Sequence, residues 1–196
     1  MERETEVKLR LDRDTAQARR RLEVAGAVLE QPRAFEDNVL YDDAAFSLSR
    51  RDRLLRLRTT RPEAGAAPTP AKLTYKEPVP EAAGPYKIRG EINLAVDDPE
   101  GTDTLLRRLG FRPIYRYQKY RTSFRAGEVK ITLDETPIGN FMELEGPREE
   151  IDSFAAALGH RWADYINLSY YELHQQAVSS AGREPGDMLF EDACGE

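Results

Sequence analysis

The sequence is poor in the residues that build disulfides and zinc sites. It contains one cysteine, Cys194, and two histidines among 196 residues. A single cysteine cannot form an internal disulfide, so nothing in the sequence indicates an oxidising compartment. The histidines, His160 and His174, do not stand at metal-ligand spacing from each other or from the cysteine. This spacing argues against a zinc site.

Long apolar runs and surplus positive charge are also missing. The N-terminus is charged from its second residue and has no signal peptide, and no apolar run is long enough to span a bilayer, so we expect a cytoplasmic protein without a membrane partner. The net charge of -6 argues against a nucleic-acid partner. No GxxxxGK[ST] loop is present, so any phosphate site is not of the P-loop kind.

The remaining pattern predicts an α+β fold made of antiparallel strands and a few helices. One domain is expected over residues 1–178, followed by an acidic, loose tail over 179–196. Strands are predicted over 3–11, 37–41, 54–59, 72–76, 86–96, 115–125, 129–134 and 141–145. Helices are predicted over 12–25, 98–110, 147–158 and 165–177.

The predicted strands carry charged side chains on one face and apolar side chains on the other. For any single strand, this alternation is typical of a sheet with one wet face and one face on the core. It does not explain why seven strands use charge, or why the signs segregate. Arg56 and Arg58 lie on one strand, whereas Glu143 and Glu145 lie on another. Because like charges on one face repel, each set needs a partner, and a barrel with its charges pointing inward and helices outside supplies one.

A lumen with both signs of charge favours a particular ligand. Arginine and lysine bind phosphate oxygens, and clustered carboxylates bind hard divalent cations. A complex of a metal ion with a polyphosphate uses both sets at once. The residue pattern therefore predicts a site for a metal-bound polyanion.

An ordered set of motifs resembles the CYTH domains, the triphosphate tunnel metalloenzymes, and is most similar to their class IV adenylate cyclase (CyaB-like) branch. The motifs are ETEVK at 4–8, NVLYD at 38–42, LLRLR at 54–58, LTYK at 73–76, RGE at 89–91, KYR at 119–121, LD at 133–134 and GNFMELE at 139–145. The resemblance implies an eight-stranded antiparallel β tunnel, Mg²⁺ or Mn²⁺ as cofactor, a triphosphate as substrate, and a homodimer as one assembly.

The resemblance also implies roles for individual residues. The metal ligands would be Glu4, Glu6, Glu91, Asp134, Glu143 and Glu145. The phosphate ligands would be Lys8, Arg56, Arg58, Lys76, Arg89, Lys119 and Arg121. Tyr41 and Lys72 are candidates for assisting proton transfer or phosphate binding, although packing and a plain strand charge explain them as well. The family often has a second acid two residues after Glu91, and here that position is Asn93. An amide adds no charge, which puts the number of metal ions in question.

Several activities fit this pattern. The first is a cyclase that converts ATP to cyclic AMP and pyrophosphate. The second is a triphosphatase acting on inorganic triphosphate, thiamine triphosphate or a nucleoside triphosphate. A binding module without turnover and a structural β-domain with a charged outer face are the remaining alternatives. No single element of the sequence selects between the cyclase and the triphosphatase, but the resemblance to the class IV branch places the cyclase narrowly first.

Overall fold

The computed structural model describes residues 1–11, 15–63, 69–80, 84–182 and 186–191. Eight antiparallel strands close into a barrel in the order β1-β5-β4-β3-β2-β6-β7-β8, and β8 pairs with β1. The strands are β1 (Glu2–Leu11), β2 (Val28–Asp42), β3 (Leu54–Pro62), β4 (Ala71–Pro78), β5 (Lys87–Val96), β6 (Arg112–Ala126), β7 (Val129–Thr136) and β8 (Gly139–Glu145). The predicted α+β fold with an eight-stranded tunnel is confirmed.

Four helices accompany the barrel. They are α1 (Thr15–Val24), α2 (Pro99–Arg108), α3 (Arg148–Ala157) and α4 (Tyr170–Ser180). The first three residues of the predicted helix over 12–25 lie outside the described part of the chain. No helix in the described ranges has the length and apolar character needed to cross a membrane.

The apolar core lies on the outer face of the barrel. On β1, Val7 and Leu9 are fully buried, and they pack in one cluster with Leu22 of α1 and Ile151 of α3. The alternate residues of the same strand point into the lumen, Lys8 among them. Because successive side chains of a strand point to opposite faces, burial of the apolar face against the helices turns the charged face inward. This arrangement confirms the predicted charged interior.

Helix α4 covers one end of the barrel. Its buried residues Tyr170 and Leu173 pack against Leu40 and Phe141, which belong to the strands. The chain before α4 is joined to β1 by two backbone hydrogen bonds between Lys8 and residue 166, of 3.0 and 2.8 Å. The covering helix therefore brings side chains from outside the barrel into contact with the lumen.

The described part of the predicted tail, residues 186–191, lies against β6. The backbone of Met188 accepts a hydrogen bond from Gln118 N at 2.9 Å and donates one to Arg116 O at 3.0 Å. Strand β7 pairs with β6 from Tyr120 onward. Met188 bonds to the part of β6 that comes before this pairing. This segment differs from the expected loose tail because it supplies hydrogen-bond partners there and buries Met188. The domain boundary at residue 178 stays a prediction.

Candidate functional site

The inward faces of the strands and the start of α4 enclose a lumen of about 120 Å³. Charged side chains dominate its wall, as the alternation predicted. The lining residues are Glu4, Glu6, Lys8, Leu54, Arg56, Arg58, Lys76, Lys87, Arg89, Glu91, Tyr117, Lys119, Arg121, Lys130, Glu143, Glu145, Ser169 and Tyr170.

Asp134 is the centre of a fully paired group of charges. Its carboxylate is completely buried and accepts hydrogen bonds from Lys119 Nζ at 2.9 Å and from Arg121 Nε at 2.7 Å. Tyr170 Oη donates a further hydrogen bond to the same carboxylate at 2.6 Å. Arg121 also pairs with Glu143. We call Asp134, Lys119, Arg121, Tyr170 and Glu143 the Asp134 cluster.

Lys8 extends this pairing across the strands β1 and β8. Its Nζ lies 3.0 Å from Glu143 Oε1 and 3.1 Å from Glu6 Oε1. Burial would lower the pKa of Lys8, but the two carboxylates raise it above its ordinary value. Burial would raise the pKa of Glu6, but Lys8 lowers it to about 2. Both groups therefore carry their full charges at neutral pH.

A second group of carboxylates, Glu4 and Glu91, shares one lysine. Lys76 Nζ pairs with Glu4 and lies 3.2 Å from Glu91 Oε2. Burial and the neighbouring Glu6 raise the pKa of Glu4 to about 7, against the opposing effect of Lys76. Burial is the largest cause of this shift, and the negative charges of Glu6 and Glu91 add to it.

These carboxylates fit a hard divalent cation by their chemistry. Oxygen donors of this kind are the ligands that Mg²⁺ and Mn²⁺ prefer, and a bound cation would favour the ionised form of Glu4. In the described ranges, however, no three His, Cys, Asp or Glu residues are gathered closely enough to form a ready-made metal group. Lysine and arginine instead hold the carboxylates apart, so metal binding requires these ion pairs to rearrange.

A third part of the wall, around Arg56 on β3, is incompletely paired. Arg56 donates through Nη1 to Tyr117 Oη at 3.2 Å and through Nη2 to Thr74 Oγ1 at 3.4 Å, and both acceptors are neutral side chains. Its Nε is buried and finds no hydrogen-bond partner among the described residues. Nearby, Glu36 accepts from Arg58 Nη1 at 3.2 Å. Its second oxygen, Oε2, has no hydrogen bond within the same ranges and lies 3.6 Å from Lys119 Nζ. We call Arg56, Tyr117, Thr74, Glu36 and Arg58 the Arg56 cluster.

The structure brings most of the predicted site residues together. All seven predicted phosphate ligands line the lumen, and so do five of the six predicted metal ligands. Asp134 is the exception, because it is sealed behind Lys119 and Arg121. Its position supports a role in orienting these two cations rather than in binding metal. Arg89, although it lines the lumen, is bound to the side chain of Asp52 at 2.6 Å.

The two candidates for assistance lie in different places. Tyr41 faces the outer side of the barrel, where it is buried in an apolar cluster with Leu57 and Leu106 and donates to Asp103 at 2.6 Å. This location does not support a role for Tyr41 in the lumen. Lys72 lies opposite Arg58 in the register of β3 and β4. Burial and the charge of Arg58 lower the pKa of Lys72.

Sequence reasoning left several polar residues of the site without a role, among them Glu36, Asn38, Tyr117 and Tyr170. Glu36 and Asn38 lie on β2, which begins nine residues before the strand predicted at 37, and Asn38 accepts from Arg58 Nε at 2.9 Å. Continuing the alternation backward from Leu40 would have found both. Tyr117 occupies an inward position of β6, but tyrosine does not by itself mark a site. Tyr170 comes from a helix, so no strand pattern could place it.

Comparisons with known proteins agree with this geometry. The CYTH domain profile matches residues 2–169. No sequence among the curated proteins matches the chain.

Solved structures share the fold, and the following three are among them. A proposed adenylate cyclase from Vibrio parahaemolyticus superposes with a TM-score of 0.72 at 20% identity, covering 87% of this chain and 96% of that one. A protein from Pyrococcus horikoshii gives 0.68 at 25% identity, with 87% and 98% covered. A proposed adenylyl cyclase from Hippeastrum, described as having a dominant triphosphatase activity, gives 0.58 at 19% identity, with 93% and 97% covered. The family profile covers most of the sequence, and the chain therefore belongs to the CYTH domain family.

Proposed function

We propose that this protein is a divalent-metal-dependent enzyme that hydrolyses a triphosphate bound in the barrel. The observation that carries the proposal is the Arg56 cluster. A buried guanidinium with a free N–H and only neutral acceptors is costly unless a ligand pairs with it. A phosphate group supplies the missing acceptor and the missing charge, because arginine binds phosphate through several parallel hydrogen bonds.

The other cations of the lumen extend this phosphate site. Arg58 and Lys119 border Arg56, and Lys76, Lys8 and Arg121 carry positive charge around the wall. The charge of a triphosphate chain matches such an array better than that of a single phosphate. Phosphoryl transfer depends mainly on positioning and charge neutralisation, both of which these side chains provide.

A metal ion would be held by Glu4, Glu6 and Glu91, joined by Glu143 and Glu145 from β8. Bound there, Mg²⁺ or Mn²⁺ supplies Lewis-acid polarisation of phosphate oxygens and a lowered pKa for water. The cations that now pair with these carboxylates would then turn to the phosphates. In this proposal Asp134 binds no metal and keeps Lys119 and Arg121 in place.

Hydrolysis is favoured over cyclisation by the character of the wall. Cyclisation of ATP requires a place for the adenine and a fixed ribose, whereas hydrolysis requires only water and the phosphate chain. The lumen is small and is lined mainly by charged groups. The dominant triphosphatase activity described for the Hippeastrum protein also favours hydrolysis. The resemblance to the class IV cyclase branch favours cyclisation, which we retain as the second candidate.

A product assay separates these reactions. The purified protein is supplied with Mg²⁺ or Mn²⁺ and, separately, with inorganic triphosphate, thiamine triphosphate and ATP. We expect orthophosphate without cyclic AMP, and a loss of at least tenfold in kcat/KM for Arg56→Gln. Arg19→Gln, which alters an exposed pair on α1, is the matched control and should retain full activity.

Each other outcome has a defined meaning. Cyclic AMP and pyrophosphate from ATP would establish the cyclase and overturn hydrolysis. Binding of inorganic triphosphate without any product would favour a binding module. If the protein neither binds nor turns over any of the three compounds, the proposed function is wrong.

A further inference from the structure

Tyr117 has a hydroxyl proton for which the described chain supplies no acceptor. Its Oη accepts a hydrogen bond from Arg56 Nη1 at 3.2 Å, and the described residues make no other hydrogen bond to that oxygen. The residue is buried, with 6% of its surface exposed, and it lines the lumen. A buried phenol normally finds a partner for its O–H.

The surroundings of this hydroxyl are rich in donors and poor in acceptors. Arg56 and Arg58 face it from β3, and Lys119 follows it on the same face of β6. Helix α4 contributes Tyr170, whose ring centre lies 6.1 Å from that of Tyr117 and whose hydroxyl is committed to Asp134. Tyr115, stacked on Tyr117 at 5.9 Å, bonds to His174 instead. The anion of this cluster, Glu36, is paired with Arg58, and no anion within the described residues accepts a hydrogen bond from the Tyr117 hydroxyl.

We propose that Tyr117 is a ligand of the bound triphosphate, and that its phenol donates a hydrogen bond to a phosphate oxygen when Arg56 turns to the anion. The inference rests on the proposed function and adds to it a residue that belongs to neither predicted set. In the free protein, Tyr117 keeps Arg56 in the lumen. In the complex, the Tyr117 hydroxyl and the Arg56 guanidinium bind the same phosphate group.

Protonation of the phenol then controls binding. Burial would raise the pKa of Tyr117, but Arg56, Lys119 and Arg58 lower it below its ordinary value. Once ionised, Tyr117 has no proton to donate, neutralises Arg56 and repels the phosphate chain. Affinity for the anion should therefore fall as pH rises through this lowered pKa. Bound triphosphate, being negative, should in turn raise the pKa, so binding takes up a proton in this range.

The test measures equilibrium binding of inorganic triphosphate without added metal, so no turnover is needed. At pH 7 we expect Tyr117→Phe to bind roughly tenfold more weakly than the wild type. Toward pH 10 the wild-type affinity should fall toward that of Tyr117→Phe. Lysine titration affects both proteins equally, so a difference between their pH curves reports the phenol of Tyr117. Tyr170→Phe is the matched control, because it removes a second lumen phenol and should keep the alkaline loss of affinity.

A spectroscopic measurement on the unaltered protein gives a second test. Alkaline titration of the ultraviolet absorbance should show a tyrosine that ionises before the others, and added triphosphate should delay its ionisation. Equal affinities and parallel pH curves for the wild type and Tyr117→Phe would overturn the inference and leave the proposed function intact. Failure of the wild type to bind inorganic triphosphate at any pH would also overturn the inference, whereas the proposed function is decided separately by the product assay with metal.

Discussion

The Asp134 cluster and the Arg56 cluster lie in the same barrel but satisfy their charges differently. In the Asp134 cluster, one buried carboxylate receives hydrogen bonds from a lysine, an arginine and a tyrosine. In the Arg56 cluster, a guanidinium nitrogen and a carboxylate oxygen are buried and make no hydrogen bond with the part of the chain that the structure describes. Both clusters are built from strand side chains of similar kind, so composition alone does not separate them.

We interpret Asp134 as a structural residue of the barrel and the Arg56 cluster as a ligand-binding part of the lumen. The buried carboxylate of Asp134 is fully paired within the protein and has little to offer a ligand, although the cations around it take part in the proposed site. An incompletely paired cluster loses folding free energy and regains it when a ligand supplies the missing partner. The comparison therefore predicts that substitution of Asp134 mainly affects stability, and that substitution of Arg56 mainly affects binding.

The largest effect on stability should come from Asp134→Asn. The substitution keeps the shape of the side chain but leaves Lys119 and Arg121 without their shared charge in a buried position. We expect the free energy of unfolding to fall by about 3 to 5 kcal/mol, because a buried pair loses one partner. Urea denaturation measures this change. A loss below about 1 kcal/mol would contradict the supporting role of the cluster.

Glu4→Gln should change stability in a pH-dependent way. The pKa of Glu4 is raised from 4.5 to about 7, so between these values the folded protein holds a proton that the unfolded chain has released. The free energy of unfolding therefore falls with rising pH in this window. Because glutamine cannot ionise, the variant should be the more stable form above pH 7, by on the order of 2 kcal/mol.

Thermal denaturation from pH 4 to 8 checks this prediction for Glu4. Added Mg²⁺ should stabilise the wild type more than the variant, since the ion replaces the proton as the neutralising charge. Parallel pH curves for the two proteins would show that the carboxyl is not perturbed.

Arg56→Met tests the Arg56 cluster, where we expect a small effect on stability and a large effect on binding. Methionine removes a buried cation whose hydrogen bonds go to neutral acceptors, so we expect the free energy of unfolding to stay within about 1 kcal/mol of the wild type. Calorimetric titration with inorganic triphosphate should meanwhile show at least tenfold weaker binding. If the variant instead unfolds as readily as Asp134→Asn, the Arg56 cluster is structural.

The smallest effect is expected outside the barrel, at the pair between Arg19 and Glu23 on α1. Both side chains are about half exposed, and their atoms lie 2.9 Å apart. Exposed pairs at this helical spacing contribute about 0.3 to 0.5 kcal/mol. Arg19→Gln should therefore alter the denaturation midpoint barely at all, and it sets the baseline for the other variants.

Much of the barrel could be read from the sequence because strand alternation is a direct record of which face is buried. The same alternation placed Lys8, Arg56 and Glu143 in one lumen. The pairing within the lumen could not be read, because it depends on the register between strands distant in sequence. Asp134 illustrates this: its strand position faces inward, but the partners that seal it come from β6 and α4.

The long strand β2 was underestimated for a local reason. Its first half contains Pro32 and several charged residues, and its register against β6 shifts between Leu29 and Ala34. Such irregularities break the period of two on which strand prediction relies. The predicted strand therefore began at residue 37 and left out Glu36, which lies at the edge of this irregular stretch.

The hydrogen bond from Gln118 N to Met188 O ties an amide of β6 to the last described segment of the chain. Hydrogen exchange at this amide should therefore follow the docking of residues 186–191, whereas amides of β6 that bond to β7, such as those near Phe124, should follow opening of the barrel itself. One strand thus carries two reporters, and their exchange rates distinguish release of the terminal segment from unfolding of the sheet.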